Sequence, residues 1–151
     1  MQSLDISMTP ARTTINGHVL PSGLLNMIRD GRWRCPEDQS KIDALFPERE
    51  EFYPYSFETM ERETKGLCGQ SEVMWLGLAD ATNPPGDIDP QQAVLIADLG
   101  IGYDQAIALD YRVTTEDPRV LTLHWRRDSN RWIEIAHNFE EFAKLIGLQE
   151  E

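Results

Sequence analysis

The chain has 151 residues, with 26 acidic and 14 basic side chains and a formal net charge of −12. That balance lacks the basic footprint which nucleic acids and anionic membrane surfaces require. The length suits one domain whose core can stand without disulfides, and no apolar run approaches the ~20 residues of a transmembrane helix.

Met1 to Thr14 has no charged start followed by an apolar stretch, so it does not read as a signal peptide. Residues 1–14 are expected to form a flexible leader and 15–151 a single domain, with the cytoplasm as the default location. Thr13 to Val19 is an extended candidate containing the turn signal Asn16-Gly17. Ser22 reads as the N-cap of a helix over Gly23 to Asp30, with Leu24, Leu25 and Ile28 as its stripe and Gly31 as its stop. In Arg32-Trp33-Arg34 the tryptophan is expected to fold onto the domain between two solvated arginines. Cys35 to Phe46 reads as a helix, because Pro36 suits a first turn and Glu37 and Asp38 favour the positive helix end. Glu48 to Tyr55 is then a loop of acids and aromatics.

Ser56 is expected to cap a helix over Phe57 to Lys65 that Gly66 ends. Glu72 to Leu78 reads as a buried strand, and Ala79 to Pro90, with its Pro and Gly residues, as a loop. Ala93 to Leu99 is a strand, and Gly100 and Gly102 let the chain turn tightly into the next, which runs on toward Arg112. Pro118 to Trp125 and Trp132 to Ala136 are strands joined by the turn formers Asp128, Ser129 and Asn130. The closing helix is the best-specified element. Asn138 caps it, Glu141 completes a capping box, Phe139, Phe142, Leu145 and Ile146 share a face, and Gly147 ends it. Helices first, then strands, then a helix indicate an α+β fold: a mainly antiparallel sheet with the C-terminal helix packed on it.

Three stretches carry a family likeness. They are Ala106 to Tyr111 (AIALDY), Pro118 to Leu123 (PRVLTL), and the closing pattern Trp132, Ile135, Ala136, Phe139 and Phe142. In order and spacing they resemble the SUKH superfamily, which includes fungal cell-wall synthesis regulators and bacterial immunity proteins. Leu20-Pro21 resembles the Leu-Pro pair that often opens the family before a helix. Gly31-Arg32-Trp33-Arg34 stands where the family carries an aromatic-rich continuation ending in Asn-Gly. The resemblance implies a twisted, mostly antiparallel sheet flanked by helices, and a protein that binds and blocks a cognate toxin, often a nuclease.

No motif for chemistry emerges. His18, His124 and His137 form no HxH or HExxH text, and Cys35 and Cys68 have neither a CxxC partner nor a nearby His, so they read as reduced thiols. Asp87-x-Asp89 lacks the further oxygen ligands of a calcium loop, and Gly100-Ile101-Gly102 lacks the third glycine of a dinucleotide loop. Asp104 and Asp110 on one strand would lie about 20 Å apart, too far for a glycosidase pair. No metal, cofactor or catalytic residue is expected. The expected partner is a protein, a basic toxin domain, met by acids clustered between Asp80 and Asp117. The contact residues are taken to be Asp80, Asp87, Asp89, Asp98, Tyr103 and Asp104. A regulatory scaffold protein of the same superfamily is the alternative, followed by an enzyme with dispersed groups around His124 and Asp110.

Overall fold

The computed structural model describes residues 13–47, 49, 51–69, 76–77, 86–100, 105–124 and 130–149. It opens with a hairpin of β1 (Thr14–Ile15) and β2 (His18–Val19). Asn16 and Gly17 both sit at positive φ, 55° and 80°, which is the turn whose twist matches paired strands and the reason Asn-Gly is favoured there. Thr14 pairs with Val19, so the hairpin takes in a residue that the sequence assigns to the leader; residues 1–12 lie outside the described residues. Helix α1 (Ser22–Arg29) follows with Pro21 at its cap position and no side-chain cap. Ser22 therefore opens the helix instead of capping it. Leu24 and Met27 are its buried face, with Leu25 and Ile28 packed beside them.

The next two helices correct the sequence reading at their ends. Helix α2 is Ser40–Leu45 and does not begin at Cys35. Pro36 disfavours helical backbone at the residue before it. The Asp38 carboxylate accepts the Ser40 N–H at 3.0 Å, which holds its pKa below the ordinary value and marks the start of the helix. Helix α3 runs Phe57–Cys68, straight through Gly66, to a cap at Gly69. The Ser56 hydroxyl accepts the Thr59 N–H as expected. Burial of Leu67 beside Met60 and Thr64 outweighs the ~1 kcal/mol that a helical glycine costs. Of the expected strand Glu72–Leu78 only residues 76 and 77 are described, and the buried Leu76 is helical.

The sheet has five strands in antiparallel sequence order: β3 (Tyr53–Pro54), β4 (Ala93–Asp98), β5 (Ala106–Asp110), β6 (Arg119–His124) and β7 (Arg131–Ala136). β3 lies inside the stretch expected to be a loop. A proline is tolerated there because an edge strand can spare an N–H. β4 and β5 are buried at every position, which explains their unbroken apolar text. Helix α4 (Phe139–Leu145) follows β7 and packs across β6 and β7, while α3 packs along β4. Phe139, Phe142, Ala143 and Ile146 form the buried face of this last stretch; Leu145, expected among them, is 40% exposed. Asn138 caps α4 through Glu141 N–H at 2.8 Å, and the Glu141 carboxylate accepts from His137 N–H at 2.7 Å. The return arm of the capping box is thus one residue early. Trp33 folds onto the domain as expected: its indole N–H donates to Tyr55 O at 3.1 Å and its ring meets Phe52 and Phe139 edge-on.

The outer edge of β4 is closed by three separate pieces of chain. β3 and its flanks take the far half, with Glu51 N–H donating to Leu99 O and Tyr55 N–H to Ile96 O. The Thr64 hydroxyl of α3 accepts the Leu95 N–H at 2.9 Å. The Asn16 amide in the first hairpin donates to Pro90 O and Ala93 O, at 3.0 and 3.2 Å. A buried N–H left without an acceptor costs about 1–3 kcal/mol. Thr64→Val keeps the shape and removes the acceptor, so it should lower unfolding free energy by about that amount. Urea denaturation followed by circular dichroism measures it; a stability equal to the parent would show that the Leu95 bond contributes nothing.

Candidate protein-binding surface

The acids expected at the contact surface divide by burial. Asp87 is buried: its carboxylate accepts two bonds from the Arg131 guanidinium, at 2.6 and 2.9 Å, and a third from Trp132 N–H at 3.1 Å. The preceding glycine and Asp87 itself offer their carbonyls to Arg112. Gly77 lies so close that an added Cβ would stand 2.2 Å from Asp87 Oδ2. Asp98 is buried as well, accepting from the Tyr55 hydroxyl at 2.6 Å and from Gly100 N–H at 2.7 Å. Asp89 is half-buried and caps the short 3-10 turn Pro90–Gln92 by accepting from Gln91 N–H. Asp80, Tyr103 and Asp104 lie outside the described residues. So the described acids among the expected contact residues are turned to the chain itself: Asp87 and Asp98 are buried against their partners, and Asp89 starts the turn into β4.

Asp110, at the end of β5, is fully buried and is the hub of a charge chain. Arg119 meets it at 2.8 Å and Arg112 at 3.7 Å, and Asp110 Oδ1 also accepts Arg112 N–H. Burial works to lower the Arg119 pKa, but its bonds to Asp110 and Glu134 prevail and hold it raised. Asp110 stands opposite Arg119, at one end of β6, while His124 stands at the other, about 17 Å along at ~3.4 Å per residue. The two are too far apart to act on one reacting group.

What the fold does assemble is a group of outer carboxylates around the start of α4, with Arg32 on the same cleft. Glu116, Asp117, Glu134, Glu140 and Glu141 are all exposed. Contacts link three of them: Asn138 Nδ2 donates to Asp117, Asn138 Oδ1 accepts Glu141 N–H, Glu141 holds His137 N–H, and Glu134 meets the His137 ring at 2.9 Å and Arg119 at 3.3 Å. Glu116, Asp117 and Glu140 border an open cleft of about 620 Å³ between the N-terminal ends of α1 and α4. Glu116 and Asp117 are legible in the sequence as acids on a linker. Their meeting with the first turn of α4 is a tertiary fact with no local sequence signal.

The two cysteines are free thiols, and burial raises both pKa values. Among the described residues no cluster of His, Cys, Asp and Glu has the geometry to hold a metal ion, and no helix is long and apolar enough to cross a membrane.

The phenols of Tyr55 and Tyr111 are held protonated. Burial raises both, and the hydrogen bond to Asp98 adds to the shift at Tyr55. A phenol raised on folding stabilises the native state fully below its unfolded pKa of about 10, and that contribution is lost as pH climbs above it. Alkaline titration at the tyrosinate absorbance should therefore show a late step for these two phenols that coincides with loss of tertiary structure. Ionisation of all four tyrosines before unfolding would contradict it. Asp110→Ala, which strands Arg119 and Arg112 beside an emptied buried site, should destabilise the fold by about 3–5 kcal/mol in the same urea assay. A loss below 1 kcal/mol would show that the hub is not a stabilising pair.

No protein-family model matches the chain, and neither curated proteins nor solved structures give a significant match.

Proposed function

We propose that the chain is a non-enzymatic protein-binding domain of the SUKH type, an immunity protein that blocks a basic toxin domain. The observation that carries this reading is the exposed group Glu116, Asp117, Glu134, Glu140 and Glu141 around the start of α4, on a chain of net charge −12. Such a surface speeds encounter with a basic protein and repels acidic ones, and it acts more on association rate than on the final contact energy. The α+β architecture, with its antiparallel sheet and closing helix, agrees with the fold that the sequence resemblance implies. In this reading Asp80, Tyr103 and Asp104 remain the expected contact residues, while Asp87 and Asp98 are spent on bonds within the chain. The location that goes with it is the cytoplasm.

The test is capture of partners from the native cell at low and raised salt, followed by co-expression with the captured protein. One basic protein, retained in one-to-one ratio and lethal without this chain, is the expected outcome. Glu116→Lys combined with Glu140→Lys should slow association at low salt by about tenfold or more, with an unchanged melting temperature as the folding control. Several weak partners indifferent to salt would replace the immunity reading with that of a regulatory scaffold. Unchanged association by the doubly reversed variant would remove the acidic group as the contact.

A further inference from the structure

The cleft between the N-terminal ends of α1 and α4 continues past its acidic wall. It shares Pro21, Ser22 and Glu116 with a second cleft, also of about 620 Å³, which extends over the first hairpin. The two halves differ in character. The first carries Glu116, Asp117 and Glu140; Arg32 also lines it, paired with Asp30 at 3.1 Å. The second has apolar walls from Val19, Leu20, Leu25 and Tyr111. Among the described residues, the two most exposed large apolar side chains are Val113 at 73% and Val19 at 60%. Val19 lines this second cleft, and Val113 stands in sequence between two residues that do, Tyr111 and Thr115. A single exposed apolar side chain is ordinary. Two on the stretches that wall one apolar cleft, which itself opens into an acidic one, are the observation that carries the inference.

The apolar half has a fixed floor. The Tyr111 hydroxyl donates to Val19 O at 2.8 Å, and the His18 ring stacks on the Tyr111 ring with centroids 4.5 Å apart. His18 Nε2 meets Gln91 O at 2.9 Å, and Leu20 N–H donates to Thr13 O at 2.9 Å. The hairpin is thus tied to the residue after β5 and to the turn before β4. A side chain seated there meets a surface that needs no ordering, which is how an anchor pocket gains affinity. In the acidic half, Glu116 and Glu140 make no ion pair among the described residues. Their carboxylates are open to an incoming cation.

We infer that the partner is held here by one amphipathic segment of its chain. An aliphatic or aromatic side chain seats among Val19, Leu25 and Tyr111, and neighbouring Lys or Arg side chains reach Glu116, Asp117 and Glu140. The two halves do different work. The acids raise the rate of encounter, and the apolar seat, once water has left it, slows departure. A segment with bases alone fills only the acidic half. An acidic segment is turned away from it, as are nucleic acid and anionic lipid. This inference rests on the reading of the acidic group as a protein contact and adds the kind of segment it takes.

Two capped pentapeptides are the probes, Phe-Leu-Lys-Arg-Lys and Ser-Gly-Lys-Arg-Lys, equal in charge and different only in the anchor. Each is titrated into the isotope-labelled full chain and followed by amide chemical shifts. The anchored peptide should move Val19, Leu20 and Leu25 together with Glu116, Asp117 and Glu140, with a dissociation constant on the order of 1 mM. The anchorless peptide should leave the first three still and bind about tenfold more weakly. Val19→Ser, at an exposed position, should weaken the anchored peptide by about tenfold and leave the anchorless one unchanged, with the melting temperature as the folding control. Equal affinity of the two peptides, shifts confined to the acidic half, no binding of either, or an indifferent variant would each overturn the inference. Shifts at Val19 and Leu25 on raising protein concentration alone would give the apolar half to a second copy of the chain and overturn it as well. The comparison of the two peptides on the unaltered protein stands even if the variant fails to fold. Capture of partners and the Glu116 and Glu140 reversal test the underlying reading separately, so a missing anchor effect strikes this inference and leaves the acidic contact standing.

Discussion

The structure depends on β4 being buried on both faces while lying next to the edge of the sheet. A strand in that position cannot leave its outer N–H and C=O groups to water, so each needs a partner from elsewhere in the chain. The fold answers with three unrelated devices along one line: the Asn16 amide near Ala93, the Thr64 hydroxyl at Leu95, and the backbone of residues 51–55 from Ile96 to Leu99. These devices place the first hairpin, α3 and β3 relative to the sheet. The N-terminal half is thereby tied to the C-terminal half by polar bonds of fixed geometry as well as by apolar packing.

The same logic operates with charge at the far end of β5. Asp110 is fully buried and is neutralised by arginines on either side of it. Arg112 carries the chain onward to the carbonyls of Gly86 and Asp87, and Asp87 receives Arg131 from β7. Residues that close the loop before β4 are thus bound to strands that come much later in sequence. Buried pairs of this kind give little net stability over an apolar replacement, but they penalise every arrangement in which one partner is left alone. They define where the loop sits more than how tightly it is held.

How much of this was legible in the sequence follows from how local each signal is. The strands from Ala93 onward, the Asn138 cap, the Asn16-Gly17 turn and the α+β class could be read directly, because periodicity, caps and turn residues act within a few positions. The ends of α2 and α3 could not. Asp38 competes with Pro36 for the helix start, and the burial of Leu67 overrides a glycine that looks like a stop. β3 escaped because Tyr53 and Pro54 have no strand signature of their own and are recruited by the open edge of β4. At the candidate site the acids were visible but their direction was not. Asp87 looks like surface charge in a polar loop and Asp98 like surface charge at a strand end; only the tertiary neighbours Arg131 and Tyr55 show that they face inward.

The up-and-down order of β4 to β7 bears on how the molecule reaches this state. β5, β6 and β7 each pair with the strand before them in sequence, so every step from β4 to β7 closes a short loop, which is the fast kind of contact to form. β7 then passes directly into α4, which packs back onto β6 and β7. A nucleus made from the last part of the chain can therefore assemble without the first. The bonds of Asn16, Thr64 and Glu51 span far longer stretches of chain, so contact order predicts that they form after the sheet steps from β4 to β7. Changes in the two halves accordingly divide by kinetics: those within the meander slow folding, and those in the docking elements chiefly speed unfolding.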